Sequence, residues 1–311
     1  MLTTATGDPT FTVGGPKKLG TALMKKKAFA TENLKRALVG TSPAATSDIW
    51  TSNSNVSFIS LTLHWIETSP GAWTVKCGTA ACEVFDGSHT GARIGAKLMG
   101  MLKALGIEDS VISMTTDTAA NMKNGVVVHT APTIKWVGCG CHKTELTVQK
   151  FVNTPGLKQT LNAFTKLAGH LHKSALSLGV FKEAQRRRFP NKTPVGIPTG
   201  CVTRWWSWLS ILQVSLEHKS SVVHTLEIAN ERASVDIHIR DVDWQNAATM
   251  VRMLEPFAEA VETMEGDHLG MAEVPCVMNV LNAHIEREAV AFDQGPFAAA
   301  GERMLIDHED R

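Results

Sequence analysis

The spacing of apolar positions changes twice along the chain, and each change marks a different kind of element. From Met24 to Leu38, MKKKAFATENLKRAL carries a helical spacing that ends near Gly40, and Thr41 to Ser47 reads as a short linker. The period then falls to two. Ile59, Leu61, Leu63 and Trp65 alternate with more polar residues, as on a half-buried strand. Pro70-Gly71 supplies a turn, WTVKCGTAACEVF reads as a third strand, and Asp86-Gly87 closes it. With the segment before FISLTLHWI as the first strand, these form an antiparallel meander of three. A helix follows, with Ser88 or Thr90 as its cap, Ile94, Leu98, Met101 and Leu105 on one face, and Gly106 at its end. SVISMTTD reads as a short buried strand finishing at Asp117, and TAANMKN as a brief helix stopped by Gly125. TIKWVGCGC is another strand, leading into the amphipathic CHKTELTVQKFV.

Three strands, helix, strand, helix, strand, helix is the element order of a ribonuclease-H-like core with a mixed α/β sheet, placed over residues 41–155. A polar, Gly-rich opening of fifteen residues, expected to be disordered, and the lysine-rich helix occupy 1–40. Beyond about residue 155 strand signals nearly vanish, and 156–311 reads as an all-α domain. Phe164, Leu167, Leu171 and Leu178 suggest one helix there and Trp205 to Leu216 another. The clearest is DWQNAATMVRMLEPFAEAVETMEG, with Trp244, Ala247, Val251, Leu254, Ala258 and Val261 at helical spacing and Pro256 expected to kink or split it.

Composition narrows the class without naming a function. A chain of 311 residues has room for about two domains, and 43% hydrophobic with 20% charged residues suits a soluble, core-forming protein. A net charge of +1 argues against a surface that grips nucleic acid everywhere, so any such contact falls to local patches. The runs Lys25–Lys27 and Arg186–Arg188 read first as solvated faces, and secondly as phosphate contacts or nuclear-import signals. No apolar leader opens the chain and no run is long enough for a membrane span, so no membrane is expected. The six cysteines then read as reduced thiols in the nucleus or, alternatively, the cytoplasm.

Two carboxylates stand out. Asp48 lies just before Trp50 at the end of the first strand segment, and Asp117, 69 residues later, ends the strand expected beside it. Adjacent carboxylates repel unless a cation neutralises them, and such pairs hold the divalent ions of phosphodiester chemistry. From spacing alone, an aspartate capping a turn at a strand edge looks the same.

The surrounding residues are more specific. TSDIWTSNSNVSFISLTLHWIE, SHTGARIGAKLMGMLKALGIEDSVISMTTDTAANMKNG, CGCH and TRWWSWLSILQ, in that order, resemble the hAT transposase superfamily, from about residue 40 onward. The resemblance implies a ribonuclease-H-like core interrupted by a helical insertion domain. It implies cut-and-paste DNA transposition in the nucleus, with Mg²⁺ or Mn²⁺ held by two aspartates and a glutamate. Asp48 and Asp117 match the two aspartates; Cys139 and His142 match a CxxH motif near the active site; Arg204 and Trp205 match an RW pair that works at the DNA hairpin. Cys139 otherwise reads as a core thiol. CxxH gives two of the four ligands zinc wants, so zinc is not expected. Trp205 is assigned to stacking on an unpaired base, whereas Trp206 and Trp208 are assigned to the helix core.

The chain also departs from the family. No Cys/His pairs in the first forty residues supply a BED-type zinc finger, and TDTA, with Thr118, replaces TDNA. Glu302, in AAAGERM, comes too soon after Arg204 for the third acid and reads as a helix-surface residue. The expectation is a fold incomplete at its C-terminus: a hAT-derived, domesticated protein with weak, sequence-independent DNA binding and no catalysis, forming homo- or hetero-oligomers through its helical domain. The alternatives are a metal-dependent transposase or nuclease completed by sequence beyond residue 311, and a protein-interaction scaffold.

Overall fold

The structure, a computed structural model, describes residues 15–199, 205–231, 236–266, 273–290 and 296–309. The chain divides into two compact units between Cys139 and Gly140. The domain boundary expected from the sequence, near 155, lies sixteen residues beyond this division. The amphipathic helix Gly140–Val152 buries Val148, Phe151 and Val152 in the core of the helical unit. The opening fourteen residues, expected to be disordered, lie outside the described ones.

In the first unit, helix α1 runs from Pro16 to Leu38, eight residues longer at its start than the spacing implied. Proline at the first helical position costs nothing, because that N–H has no helical partner anyway. The strands are β1 (Ala44–Thr46), β2 (Ile49–Thr51), β3 (Ser57–Ser69), β4 (Ala72–Val84), β5 (Ser113–Thr116) and β6 (Lys135–Gly138). Helix α2 (Gly91–Leu105) precedes β5 and helix α3 (Ala120–His129) precedes β6. β4 pairs with β3; β3 pairs with β1 and β2; β1 then continues the sheet through β5 to β6. The β3–β4 hairpin turns on Pro70-Gly71, with Gly71 at φ +77°, a conformation that favours glycine. The expected first strand is real but interrupted. Thr46 pairs with Thr62 and Ile49 with Ile59, so β1 and β2 keep one register on β3 across the gap at Ser47 and Asp48.

One face of this sheet is apolar. Leu63, Ala45, Met114 and Trp136 are in register on four strands, next to Leu61 and Ile59, and α2 covers them with Ile94, Leu98, Met101 and Leu102. Helix α3 is held against α2 by glycine. A Cβ on Gly91 would collide with the Asn124 side chain. One on Gly95 would collide with His129 and lie 2.5 Å from the Gly125 carbonyl, and one on Gly125 would lie 2.8 Å from Ile94 Cγ2. Gly125 therefore does not stop this helix, which continues to His129; it lets two backbones approach where no side chain fits. Gly106, by contrast, ends α2 as expected, at φ +73°.

From Gly140 onward every described element is a helix: α4 (Gly140–Val152), α5 (Leu157–Lys173), α6 (Ala175–Arg188), α7 (Trp205–Glu217), α8 (Lys219–Glu231), α9 (Asp241–Glu265), α10 (Val274–Val290) and α11 (Pro296–Glu309). Ser174 separates α5 from α6 and accepts the Ser177 N–H at 3.2 Å. Pro256 does not split α9, which is helical to Glu265. Trp244, Ala247, Met250, Leu254, Phe257 and Val261 bury one stripe of α9 through the proline, which offsets the lost hydrogen bond. The start of α9 carries a buried carboxylate, Asp243. Its oxygens accept Arg240 Nε at 2.8 Å, Arg240 Nη2 at 2.9 Å, the Arg240 backbone N–H at 3.0 Å and the Thr160 hydroxyl at 2.9 Å. The Arg240 guanidinium, above all, holds its carboxyl below the usual carboxylate range. Among the described residues no helix is long and apolar enough to cross a membrane.

Gly95→Ala is expected to lower stability by about 1–3 kcal/mol, because its Cβ enters occupied space. Gly100→Ala, on the same helix with nothing within 4 Å, should instead stabilise by about 0.5–1 kcal/mol. Urea midpoints of the two variants distinguish these outcomes. Because the folded pKa of Asp243 lies below its unfolded value of about 3.9, its contribution is present above pH 4 and is lost as pH falls below it. Asp243→Asn should destabilise by about 1–3 kcal/mol near neutrality and flatten this acid limb, as read by urea midpoints measured between pH 3 and pH 7.

Candidate functional site

Asp48 and Asp117 are placed by strand register. Ala44, Ala45 and Thr46 of β1 pair in parallel with Ser113, Met114 and Thr115 of β5, a constant offset of 69 residues. The Ser47 N–H carries the ladder one step further, donating to the Thr115 carbonyl at 3.0 Å. The same offset sets Asp48 abreast of Asp117. On the other side β6 extends the row, since Thr116 pairs with Gly138 and the Cys139 N–H donates to the Thr116 carbonyl at 2.8 Å. On the opposite flank the Ser60 N–H donates to the Asp48 carbonyl at 3.0 Å. Ser60, Asp48, Asp117 and Cys139 thus form one transverse row at the C-terminal edge of the parallel strands.

This row belongs to the polar face of the sheet. The next row inward is Thr62, Thr46, Thr115 and Val137, and beyond it stands His64, whose Nε2 lies 3.3 Å from the Thr46 hydroxyl. Asp48 is exposed, and its Oδ1 accepts the Ile49 N–H at 2.8 Å, a local bond made where the strand is interrupted. Asp117 is half-buried, and its Oδ1 accepts the Ala119 N–H at 3.1 Å, which turns the chain off the sheet into α3. Thr116, under it, accepts the Trp136 indole N–H at 3.0 Å and donates to the Asp117 carbonyl at 2.8 Å. The start of α3 is tied to the loop before α2 by Asn121, whose amide donates to the His89 carbonyl at 2.9 Å.

The electrostatics follow from the spacing of strands. Two ionised carboxylates about 6 Å apart repel by roughly 0.7 kcal/mol in water and about 3 kcal/mol at the effective dielectric of a protein surface. A divalent cation between them reverses that sign. Among the described residues no three His, Cys, Asp or Glu side chains form a group that could hold a metal ion. Cys139 is half-buried at the end of β6. His142 is half-buried in the first turn of α4, within the helical unit. Two carboxylates suit one hexacoordinate Mg²⁺ or Mn²⁺ completed by water and phosphate oxygens; they do not suit two ions.

One feature of this edge was missed. Trp50 pairs with Phe58, and their rings stack with centroids 5.7 Å apart, while Phe58 pairs in turn with Val84. Trp50 stands two residues beyond Asp48, hence on the same face, and is 42% exposed. The signal was available in the alternation, because Asp48 and Trp50 share parity and Phe58 is out of phase with the core residues Ile59 and Leu61. An exposed ring such as Trp50, backed by the half-buried Phe58, is a surface on which a base can lie.

Two of the three tryptophans of α7, Trp205 and Trp206, reverse the sequence assignment, and Trp208 keeps it. Trp205 is 1% exposed, packed within the helical core beside Trp206 with ring centroids 5.8 Å apart. Trp206 is 39% exposed, and Trp208 is partly buried against the same core. Helical spacing alone does not say which of three clustered tryptophans turns inward. Arg204 lies outside the described residues. Arg186 and Arg187 engage Glu183 at 3.2 and 3.3 Å, and Arg188 lies over the Phe189 ring, so part of this run is occupied within the helical unit. Glu302 is exposed on α11.

A family model for the ZBED1 RNase-like domain matches residues 46–130, the stretch that carries both aspartates. A Zea mays protein named as an AC transposase is 22% identical over 245 residues, covering 74% of this chain and 29% of that protein. A second Zea mays protein, named as an AC9 transposase, is 29% identical over 86 residues, 28% of this chain and 10% of its own length. The chain thus spans less than a third of the relatives it matches.

Trp205→Ala is expected to destabilise the helical unit by about 3–5 kcal/mol, as a large buried ring removed from a packed core. Trp206→Ala should cost less than about 1 kcal/mol. Thermal unfolding followed by circular dichroism gives both values, and equal losses would contradict the burial difference.

Proposed function

We propose that this hAT-superfamily transposase-like protein is a nuclear, DNA-associated protein that holds a single divalent cation and does not itself cleave DNA. The observation that carries this reading is the register that sets Asp48 abreast of Asp117 at the C-terminal edge of β1 and β5. The mixed sheet, with its antiparallel ribbon joined to parallel strands, is read as a ribonuclease-H-like core, and the helices from Gly140 onward as the family's insertion domain. The match over residues 46–130 and the maize relatives support both readings.

The chemistry follows from the donor set. A bound Mg²⁺ or Mn²⁺ supplies a positive charge that neutralises the carboxylates and attracts a phosphate oxygen. Asp48 and Asp117 would hold it, and the Trp50 ring, exposed and stacked on the half-buried Phe58, would give an adjacent base a surface to rest on. Two-metal phosphodiester cleavage requires ligands for both the attacking and the leaving oxygen. A third acid is what the pair needs for that, and Glu302, exposed on α11, is not assigned to it. Binding to DNA is weak and independent of sequence, carried by phosphate contacts.

A second reading has one observation in its favour. The relatives are more than three times as long as the stretch they share with this chain, so a metal-dependent transposase completed by further sequence fits the same carboxylate pair.

Isothermal titration of Mn²⁺ should give one site per chain, weakened at least tenfold by Asp48→Asn and by Asp117→Asn. Incubation with a nicked hairpin DNA and Mn²⁺ should leave the strands intact. Cleavage that disappears in Asp48→Ala and Asp117→Ala would establish the second reading, and Mn²⁺ binding unaffected by either substitution would remove the site altogether.

A further inference from the structure

The charge of the chain is sharply segregated, and α1 carries the positive part. Six lysines and Arg36 against one acid, Glu32, give this helix a net charge of +6, so of the chain's total of +1 the other residues together carry −5. At 3.6 residues per turn, Lys17, Lys18, Lys25, Lys35 and Arg36 fall on one face with Glu32 among them, while Lys26 and Lys27 turn toward the other. Leu19, Leu23, Ala30, Leu34, Ala37 and Leu38 fall on the other. The C-terminal third of that apolar face is seated on the sheet: Leu38 is 3% exposed, and Leu34 packs beside Gly78 and the Trp65 ring. From Pro16 to Ala30, about 22 Å of helix, every described side chain is exposed, and none of its five lysines is in an ion pair among the described residues.

An exposed helical half of this length is marginally stable by itself, so its geometry calls for a partner. We infer that the cationic face of α1 is a docking surface for the phosphate backbone of duplex DNA. Charge and orientation select that occupant. A second copy would oppose +6 to +6. The apolar face is exposed at Leu19 and Leu23, so an anionic membrane is a separate arm of the test below. The lysine face points away from the sheet and is open to a polyanion. DNA presents one negative charge for about every 1.7 Å of its axis, a density that several lysines along one helix face can neutralise with release of counterions.

The inference rests on the reading that this chain works at DNA, but it concerns a different surface from the carboxylate edge. The test is fluorescence anisotropy of the full chain with a labelled duplex of random sequence, over a series of salt concentrations and without divalent cation. Replacing Lys17, Lys18 and Lys25 together by glutamine should weaken binding at least tenfold and reduce the slope of log affinity against log salt by about 2 to 3. A control removing the same charge from exposed positions of α5, Lys158→Gln, Lys166→Gln and Lys173→Gln, should leave both nearly unchanged. Equal loss in the two sets, an unchanged slope in the α1 variant, or no binding by the parent chain would overturn the proposal. So would binding to phosphatidylserine vesicles, or self-association in ultracentrifugation, that the α1 substitutions abolish while DNA binding persists. Loss of Mn²⁺ binding with the α1 slope intact would count against the proposed carboxylate site alone.

Discussion

Three residues join the two halves of the sheet. Ala44, Ala45 and Thr46 pair antiparallel with His64, Leu63 and Thr62 on one side and parallel with Ser113, Met114 and Thr115 on the other. Such a strand has no free edge and cannot slip by one residue without sending Ala45 out of the core, where it is 1% exposed between Leu63 and Met114. The placement of Asp48 follows from this constraint. Once Ala45 is fixed inward, Thr46 and Asp48 must face the other way, and the offset of 69 residues that pairs Ala45 with Met114 sets Asp48 level with Asp117.

The packing under the sheet reinforces that register from behind. Helix α2 covers Leu61, Leu63 and Met114, and α3 can lie against α2 only because Gly91, Gly95 and Gly125 remove the side chains between them. Since α3 begins three residues after Asp117, a shift of α3 would move the Asp117 backbone through the Ala119 N–H that its carboxylate accepts. The glycine contact therefore fixes the carboxylate edge at a distance, without touching it.

These elements differ in how far their sequence declared them. The β3–β4 hairpin was legible because alternation and a Pro-Gly turn agree, and α2 because its apolar period ends at a glycine in the left-handed conformation. That Asp48 and Asp117 follow the ends of neighbouring strands was legible from spacing, because β1 and β5 pair at the same offset of 69 residues. The helix stop at Gly125 and the split at Pro256 were misread for one reason: each is a local helix breaker whose local cost is outweighed by packing that no window of neighbouring residues contains. The inward turn of Trp205 was hidden because WWSW puts aromatic rings on several sides of one helix. The boundary at Cys139 was hidden because α4 is amphipathic whichever unit it joins.

Charge and register assign different tasks to two places in the first unit. The carboxylate edge, bare, repels a phosphate and accepts one only when a divalent cation neutralises it. The lysine face of α1 attracts phosphate with no cation at all, and does so less as salt rises. A net charge of +1 is here the difference between a helix at +6 and a remainder at −5, so a near-neutral total does not by itself argue against a local contact with DNA. On the two proposals above, α1 would admit the polymer, and a metal at the carboxylate pair would decide whether the polar face of the sheet does so too. Weak overall affinity and a defined place of contact would then be two results of the same charge distribution.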